Sequence, residues 1–349
     1  MRQALSFDDV LLVPRYSEIK SRKDIEIHQE LRAVGEFNLP IISSPMDTIT
    51  GEAMACAVDT AGGIGIIHRY NSVDEQAKII MNITSANHNV GAAIGIGEDY
   101  IERALTLARV GVTFLCIDVA HGHHSKVRNA LASLRDTLGE DIHIMAGNVA
   151  TLEAFNDLAD WGADSIRVGI GGGSICSTRI QTGHGMPTLQ SVMDCAQSDR
   201  DAVLVADGGI RTSGDIVKAL AAGADFVMLG SLLAGTDETP GSVIHTKSGR
   251  EKVYRGMASK EAQRSWRNRV SSNEGISHTV PLKGPVKYVL DELRTGIRSG
   301  ISYSGAHNIS SLQARARFIR QTQSGQVESS THIKRTAMTA GREPTTCNS

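Results

Sequence analysis

Eight short apolar segments alternate with amphipathic segments along the first two thirds of the chain, and this alternation restricts the fold more than any other feature. The apolar segments are rich in Val, Ile and Leu, as expected for strands buried on both faces of a parallel sheet. Several of the intervening segments begin at Ser, Thr or an acidic residue and end at Gly, the usual helix-capping residues. The apolar segments are 39–46, 62–69, 89–96, 112–120, 142–148, 164–170, 202–209 and 224–231.

Strand and helix alternating eight times predict a parallel (β/α)8 barrel, or TIM barrel, in a single α/β domain. An open doubly wound sheet is the alternative. It would place a G-x-G-x-x-G turn after the first strand, and "SSPMDTITG" contains none. In such barrels the chemistry lies on the loops that follow the carboxyl ends of the strands. The unusual residues of this chain collect there, so the sequence predicts a functional site at that end.

Composition excludes several classes of function. The formal net charge is −2 and 21% of residues are charged, which gives no indication of a nucleic-acid or membrane-surface partner. No apolar run could span a bilayer, and the start, "MRQALSFDDV", lacks a signal-peptide core. A scattered, odd set of cysteines argues against a disulfide framework or a zinc site and favours a cytoplasmic protein. These are Cys56, Cys116, Cys176, Cys195 and Cys347.

The stretch "GGGSICSTRIQTGHG", residues 171–185, places one thiol behind a cluster of glycines. Backbone N–H groups and Arg179 near Cys176 could stabilise a thiolate, and Thr178 could hold or pass a proton. The alternative is an ordinary packed thiol, but the glycines and Ser174 offer little for a buried side chain to pack against. The pattern favours Cys176 as a nucleophile.

Two glycine-containing turns follow the seventh and eighth predicted strands, "ADGGIRTSGD" (206–215) and "LGSLLAG" (229–235). Glycine there lets backbone N–H groups approach a phosphate beside a helix start, although plain turn glycines are the alternative. Asp207 would repel a phosphate, so we expect it to accept hydrogen bonds from ribose hydroxyls. Sugar and phosphate together indicate a nucleotide.

After the eighth strand the alternation ends, and residues 243–284 are polar and too long for a simple connection. Ordered insertions at a barrel mouth are often lids, so we expect a mobile flap at about 257–284, with a disordered excursion as the alternative. Glu274 in it is a candidate proton-transfer group. Trp161 and Trp266 carry no motif and are assigned to packing. The predicted domain, barrel with flap, covers 1–322, and the tail 323–349 is expected to be disordered.

Seven motifs, "SSPMDT", "GGIGIIH", "AGNVAT", "GGGSICSTR", "ADGGIR", "YRGM" and "GIRSGISYSGA", together resemble the IMP dehydrogenase / GMP reductase family over about residues 5–322. The resemblance implies that the Cys176 thiol attacks C2 of a purine nucleotide and forms a covalent intermediate, and that a nicotinamide hydride leaves or arrives at the same carbon. Thr178 and Glu274 would handle protons. The resemblance also implies a homotetramer.

The same resemblance assigns binding residues. Those expected to hold the purine nucleotide are Ser44, Met46, Asn148, Ser174, Asp207, Gly208, Gly209, Gly230, Ser231, Tyr254, Gly256, Met257, Ala258 and Gly275. Those expected at the cofactor are Arg69, Asp118, Val119 and Ala120, with Ser21 and Arg22 at the adenosine end, where an arginine suits the 2′-phosphate of NADPH. A loop matching the monovalent-cation site of relatives, where potassium would bind, comprises Gly171, Gly173, Cys176 and Arg179.

Two features favour GMP reductase, which converts GMP and NADPH to IMP, ammonia and NADP. Residues 72–88 bridge the gap where the dehydrogenase usually carries a regulatory module, and the flap lacks the Arg-Tyr pair with which the dehydrogenase activates water. Core motifs such as "SSPMDTIT" read more like the dehydrogenase, and Val270 and Ser271 replace the Tyr-Arg pair of the familiar reductase. IMP dehydrogenase, which converts IMP and NAD to XMP and NADH, is therefore the alternative. A purine nucleotide binder without turnover is a lesser one.

Overall fold

In the computed structural model, which describes residues 2–247, 249–268, 270 and 273–329, three short strands precede the barrel. They are β1 (Val10–Leu12), β2 (Gln29–Leu31) and β3 (Gly35–Phe37). β2 and β3 form an antiparallel hairpin that buries Leu31 and Phe37 against the barrel interior. The Phe37 ring packs edge-on against Phe226, with 6.3 Å between centroids. The hairpin therefore covers the end of the barrel at which the strands begin.

Eight parallel strands close into a barrel in chain order, and the last pairs with the first. Seven lie within their predicted segments and β8 extends one residue beyond its segment, so the (β/α)8 prediction is confirmed. The strands are β4 (Ile41–Ser43), β5 (Ile64–Ile67), β6 (Val90–Ile94), β7 (Phe114–Asp118), β8 (His143–Val149), β9 (Ser165–Val168), β10 (Val203–Asp207) and β11 (Phe226–Leu229).

Helices follow the barrel strands and cover the outside of the barrel. Those within the barrel sequence are α1 (Glu52–Thr60), α2 (Val73–Ser85), α3 (Tyr100–Arg109), α4 (Ser125–Leu138), α5 (Leu152–Asp160), α6 (Thr178–Thr182), α7 (Thr188–Cys195) and α8 (Ser213–Ala221). Side-chain caps at Ser72, Thr151 and Thr212 satisfy the first N–H groups of α2, α5 and α8, as the sequence predicted for such residues. No helix of the part that the structure describes is long and apolar enough to cross a membrane.

The connection between β5 and β6 contains a single helix. Ser72 starts α2 with a capping box to Glu75, and the chain enters β6 at Val90. At this position the dehydrogenase implied by the resemblance carries its regulatory module. The described chain has none there.

The predicted flap is part of a folded excursion after β11. It contains β12 (Ile244–Thr246), β13 (Gly249–Arg255), α9 (Lys260–Arg267) and β14 (Ser277–Pro281). The three strands form an antiparallel sheet in the order β12–β13–β14. The described residues of the excursion thus form a small sheet and a helix at the barrel mouth, and from here on we call α9 together with residues 273–276 the flap.

The C-terminal part returns the chain to its start. It comprises α10 (Val286–Tyr303), α11 (Ile309–Arg315), β15 (Phe318–Arg320), which pairs with β1, and α12 (Gln323–Glu328). The sequence predicted a disordered tail from residue 323. The structure instead places α12 there, because the Thr322 hydroxyl accepts from the Gly325 N–H and caps a short helix. Residues 330–349 of the predicted tail lie outside the described residues.

His143, the first residue of β8, gives the fold a dependence on pH. It is fully buried, with its Nδ1 3.0 Å from the Arg32 carbonyl oxygen and its Nε2 2.8 Å from Ser165 Oγ. Burial lowers the pKa of His143 to about 4. The unfolded chain, with a histidine pKa near 6.5, takes up the proton first as pH falls. This stabilisation is therefore complete above about pH 6.5 and is lost as pH falls towards 4.

We expect protonation of the unfolded chain at His143 to lower the free energy of unfolding by up to about 3 kcal/mol between pH 7 and pH 4. Urea unfolding of the wild type and of His143→Gln at both pH values measures it. The wild-type protein should lose stability relative to the variant as pH falls. A constant difference between the two proteins would contradict the assignment.

Candidate active site

A cavity of about 360 Å³ opens at the carboxyl ends of the barrel strands and is closed on one side by the flap. The strand-end loops and the flap converge on it, as the (β/α)8 fold requires of a functional site. The sequence-predicted residues that line it are Ser44, Met46, Arg69, Asp118, Val119, Ala120, Asn148, Gly171, Gly173, Ser174, Cys176, Thr178, Asp207, Gly208, Gly209, Gly230, Ser231, Tyr254, Gly256, Met257, Ala258 and Glu274.

Three side chains form a hydrogen-bonded series at the cavity wall. The Cys176 thiol donates to Thr178 Oγ1 at 3.2 Å, and the Thr178 hydroxyl donates to Glu274 Oε2 at 2.8 Å. Thr178 is the first residue of α6, so its side chain lies just past the glycine loop that carries the thiol. The series gives a proton a continuous route between the sulfur and the carboxylate.

Backbone contacts hold Glu274 in this position. Its carbonyl oxygen accepts from the Ser177 N–H at 2.9 Å, and Gly275 forms an antiparallel bridge with Cys176. The next residue, Ile276, donates its N–H to the Ile175 carbonyl at 3.0 Å. The flap is thus paired directly with the loop of the thiol. Gly275 does not line the cavity but makes this close approach possible, because a Cβ there would lie 3.1 Å from the Ser259 nitrogen.

The other thiols of the described chain are unsuited to attack a substrate. Burial raises the pKa of Cys116 to about 11 and that of Cys195 to about 12, and it also raises the pKa of Cys56. A protonated thiol is a poor nucleophile. Cys176 alone among the described cysteines lines the cavity. Cys347 lies outside the described residues.

A buried arginine joins the two carboxylates of the cavity. Arg167 donates from Nη1 to Asp118 Oδ1 at 2.7 Å and from Nη2 to Asp207 Oδ2 at 2.9 Å. Asn148 Nδ2 donates to the same Asp207 oxygen at 2.8 Å. Burial alone would raise the pKa of Asp118, but Arg167 and Arg69 outweigh it and hold that pKa below its ordinary value. The Asp118 carboxylate is thereby held as an acceptor for hydroxyl groups.

Arg167 is a cavity residue that sequence reasoning missed. It lies in β9, within the otherwise apolar segment "DSIRVGI", and its side chain is 7% exposed. A charged residue in a strand buried on both faces needs a partner of opposite charge, and this was the signal available in the sequence.

Several residues predicted to bind the nucleotide meet around Tyr254, one of the two buried residues of β13. Its hydroxyl lies 3.3 Å from Ser174 Oγ, and burial raises the pKa of Tyr254. A Cβ at Gly230 would lie 3.3 Å from that hydroxyl and 3.4 Å from Met46 Sδ. Glycine at 230 therefore keeps the cavity open between β11 and β13.

The residues predicted to bind the cofactor lie at and just after the end of β7, with Arg69 beside them. Asp118 has a carboxylate that can accept hydrogen bonds from ribose hydroxyls, and Val119 and Ala120 line the cavity beside it. Arg69 Nε lies 3.4 Å from Asp118 Oδ2 in an ion pair. A second hollow of about 300 Å³ lies beyond Arg69 and gives room for the rest of a dinucleotide. A guanidinium between the two hollows suits a ligand with phosphate oxygens.

Ser21 and Arg22 are not brought to this cavity. Ser21 caps a short 3₁₀ helix, Arg22–Asp24, which packs against α10. Neither residue lines the cavity in the single chain. Their predicted role at the adenosine end stays a prediction.

The predicted cation loop is packed around Arg179. Gly171 has φ +79°, and a Cβ there would lie 2.5 Å from Arg179 Cγ. Arg179 donates to the Met186 carbonyl at 2.6 Å, so its side chain spans the loop and does not line the cavity. Among the described residues no group of three His, Cys, Asp or Glu could hold a metal ion. A cation here would be held by backbone carbonyls, which suits a monovalent ion and stays a prediction.

The fold and site define a class: a (β/α)8 enzyme with a cysteine beside a nucleotide-sized cavity. The sequence profile of the IMP dehydrogenase / GMP reductase domain matches residues 4–332. The chain belongs to this family of purine nucleotide oxidoreductases.

Individual relatives carry both names. The inosine-5′-monophosphate dehydrogenase of Nitrosopumilus maritimus is 32% identical, with 95% of this chain and 98% of the relative covered. The GMP reductase of Leishmania major is 31% identical, with 95% and 97% covered. The structure of a GMP reductase variant from Trypanosoma brucei in complex with guanosine 5′-monophosphate has a TM-score of 0.91 and 29% identity, with 95% and 98% covered. The Nitrosopumilus alignment spans 469 positions, more than the 349 residues of this chain, so that relative carries insertions.

Proposed function

We propose that the protein is a GMP reductase that converts GMP and NADPH to IMP, ammonia and NADP. The observation that carries this proposal is the series Cys176–Thr178–Glu274, with hydrogen bonds of 3.2 and 2.8 Å. The flap sequence supports it, because it holds no Arg-Tyr pair to activate water. Thr178 and Glu274 serve a reaction that must release ammonia and has no water to activate.

The first step is the attack of Cys176 Sγ on C2 of the purine. The thiol proton passes through the Thr178 hydroxyl to Glu274, following the donor directions of the two hydrogen bonds. It returns by the same route to the 2-amino group, which leaves as ammonia when the C2–N bond breaks. The purine is then bonded to the sulfur through C2. A nicotinamide held beside Asp118 and Arg69 would supply a hydride at this carbon. Cys176 would then leave as the thiolate when the carbon–sulfur bond breaks, which releases IMP.

Other side chains would orient the two ligands. Asp207 and Asn148 are placed to hold the ribose of GMP, and the turns at Gly208–Gly209 and Gly230–Ser231 to hold its phosphate. Asp118 and Arg69 would hold NADPH. The family resemblance further supports a homotetramer in which Ser21 and Arg22 reach the adenosine end from a neighbouring subunit. Sedimentation of the protein with and without nucleotides would test the assembly, and activity with potassium or with lithium would test the cation loop.

Absorbance at about 340 nm tests the reaction itself. Mixing the protein with GMP and NADPH should give a decrease that requires both nucleotides, together with release of ammonia. NADH in place of NADPH serves as the cofactor control. No decrease with either cofactor would contradict the proposal.

The second candidate is IMP dehydrogenase, which the names of several relatives at 32–35% identity favour. Its motif likeness lies in the core, at "SSPMDTIT" and "YRGM". An absorbance increase with IMP and NAD, and none of the reductase signals, would establish it. Equilibrium binding of GMP or IMP with neither reaction would leave a nucleotide binder.

Glu274→Gln should lower kcat by roughly 10²–10³-fold, because the amide cannot take the proton that Thr178 passes on. The KM for GMP should change little, since Glu274 bonds to Thr178 and not to a residue placed at the ribose or phosphate. Steady-state kinetics measure both constants. Glu261→Gln, an exposed change on α9, is the matched control. A rise in KM with unchanged kcat would remove Glu274 from proton transfer.

A further inference from the structure

Two aromatic rings stack where the flap meets the barrel. Tyr70, just after β5, and Trp266, in the last turn of α9, have centroids 4.3 Å apart and planes 9° from parallel. We call this pair the aromatic clasp. We propose that the clasp is a positioning device that holds the flap against the barrel and thereby sets Glu274 beside Thr178.

Polar contacts tie the same two parts together. The Tyr70 hydroxyl donates to the Met257 carbonyl at 2.6 Å, at the chain entry to α9. Arg255 donates to Asp47 Oδ2 at 2.5 and 2.9 Å and to Ser265 Oγ at 3.2 Å. Asp47 belongs to the loop after β4 and Ser265 to α9. The clasp is therefore one of several contacts between the excursion after β11 and the barrel loops.

The clasp stands close in sequence to the catalytic carboxylate. Glu274 follows Trp266 by eight residues, and beyond it Gly275 is paired with Cys176. Glu274 thus lies in sequence between the clasp and the residues paired with the thiol loop. Loss of the Trp266 ring would remove the stacking contact on one side of Glu274 and leave the pairing on the other side intact.

The clasp also touches the cavity wall. The Arg69 guanidinium lies 5.6 Å from the Tyr70 ring centroid and 5.9 Å from that of Trp266, within the range of a cation–π contact. The same side chain is 3.4 Å from Asp118. A ligand that bonds to Asp118 therefore changes the surroundings of the Trp266 ring, and its fluorescence should report binding.

A double-mutant cycle tests the positioning role. The four proteins are wild type, Trp266→Ala, Glu274→Gln and the double variant, and Trp266→Phe is the conservative control. Trp266→Ala should lower kcat about 10- to 30-fold, with a less than threefold change in the KM for the purine nucleotide. Trp266→Phe, which keeps an aromatic ring, should retain most of the wild-type kcat. In the Glu274→Gln background, Trp266→Ala should lower kcat less than threefold, because the carboxylate that the clasp positions is already absent.

The proposal would be overturned if Trp266→Ala lowered kcat by the same factor in the wild-type and Glu274→Gln backgrounds, or lowered it in neither. The cycle rests on the proposed function only for its assay, and it can be run with IMP and NAD if that pair is turned over. Its failure is therefore distinct from failure of the reductase assignment.

Two readouts need no turnover. Trypsin should cleave after Lys260 or Arg264 faster in Trp266→Ala than in the wild type, whereas Trp161→Ala, which removes the other tryptophan far from the flap, should not change this rate. In a Trp161→Phe protein, the remaining tryptophan emission should respond to NADPH. Unchanged cleavage together with an unresponsive emission would likewise overturn the proposal.

Discussion

Replacing Cys176 with alanine should reduce turnover by roughly 10⁴-fold or more, whichever of the two family reactions the enzyme catalyses. The Cys176 sulfur is the atom that would bond to the purine, and neither Thr178 nor Glu274 can replace it as the nucleophile. Steady-state assays with each nucleotide pair measure the loss. Cys56→Ala is the matched control, because Cys56 lies in α1 and does not line the cavity. It should keep wild-type activity.

A covalent adduct gives a second measure of the same role. Intact-mass measurement after acid quench should find a purine nucleotide on the wild-type protein during turnover and none on Cys176→Ala. Nucleotide binding should survive the substitution, since the groups placed to hold ribose and phosphate remain. Turnover retained by the variant would remove Cys176 as the nucleophile.

Arg167→Met should destabilise the fold by about 2–4 kcal/mol at pH 7, because it leaves Asp118 and Asp207 as partly buried charges without their shared cation. Urea unfolding of the variant and of Arg109→Met, an exposed control on α3, measures the difference. Arg167→Lys keeps one positive charge but cannot bond both carboxylates in the same fork geometry. Its free energy of unfolding should therefore lie between those of Arg167→Met and the Arg109→Met control.

The pH dependence of this loss identifies its cause. In the wild type Arg167 and Arg69 hold the pKa of Asp118 below its ordinary value, so this stabilisation is present above that ordinary value and is lost at lower pH. In Arg167→Met the Asp118 carboxylate would be protonated more readily, and the loss of stability relative to the wild type should shrink as pH falls towards 4. A deficit independent of pH would point to lost packing around the arginine stem.

The barrel was predictable because its information is local. Segments such as 112–120 and 202–209 are continuous in apolar residues, and the helices between them carry their own caps, so strands and order follow from the sequence. The strand-end position of Cys176 and Asp207 follows from the same pattern. The notable exception at the chain end is α12, whose cap at Thr322 is a signal too weak to read in a polar stretch.

Contacts between distant segments were not predictable in this way. Trp266 was assigned to packing, and its stack on Tyr70 joins residues 196 positions apart. The role of Arg167 depends on its ion pairs with two carboxylates on other strands, Asp118 at the end of β7 and Asp207 at the end of β10. The antiparallel sheet β12–β13–β14 depends on pairing across the flap sequence, which has no repeating pattern. The pairing partners of such groups come only from the closed fold.

The β2–β3 hairpin has a consequence for how reactants travel. Leu31 and Phe37 of the hairpin pack against the interior residues of the barrel and close the end at which the strands begin. The candidate active-site cavity opens at the opposite end, beside the excursion, so in the proposed reaction we expect both nucleotides and the released ammonia to enter and leave there. The rates of substrate entry and product release, as well as the rate of the chemical step, should therefore depend on the side chains at that end of the barrel.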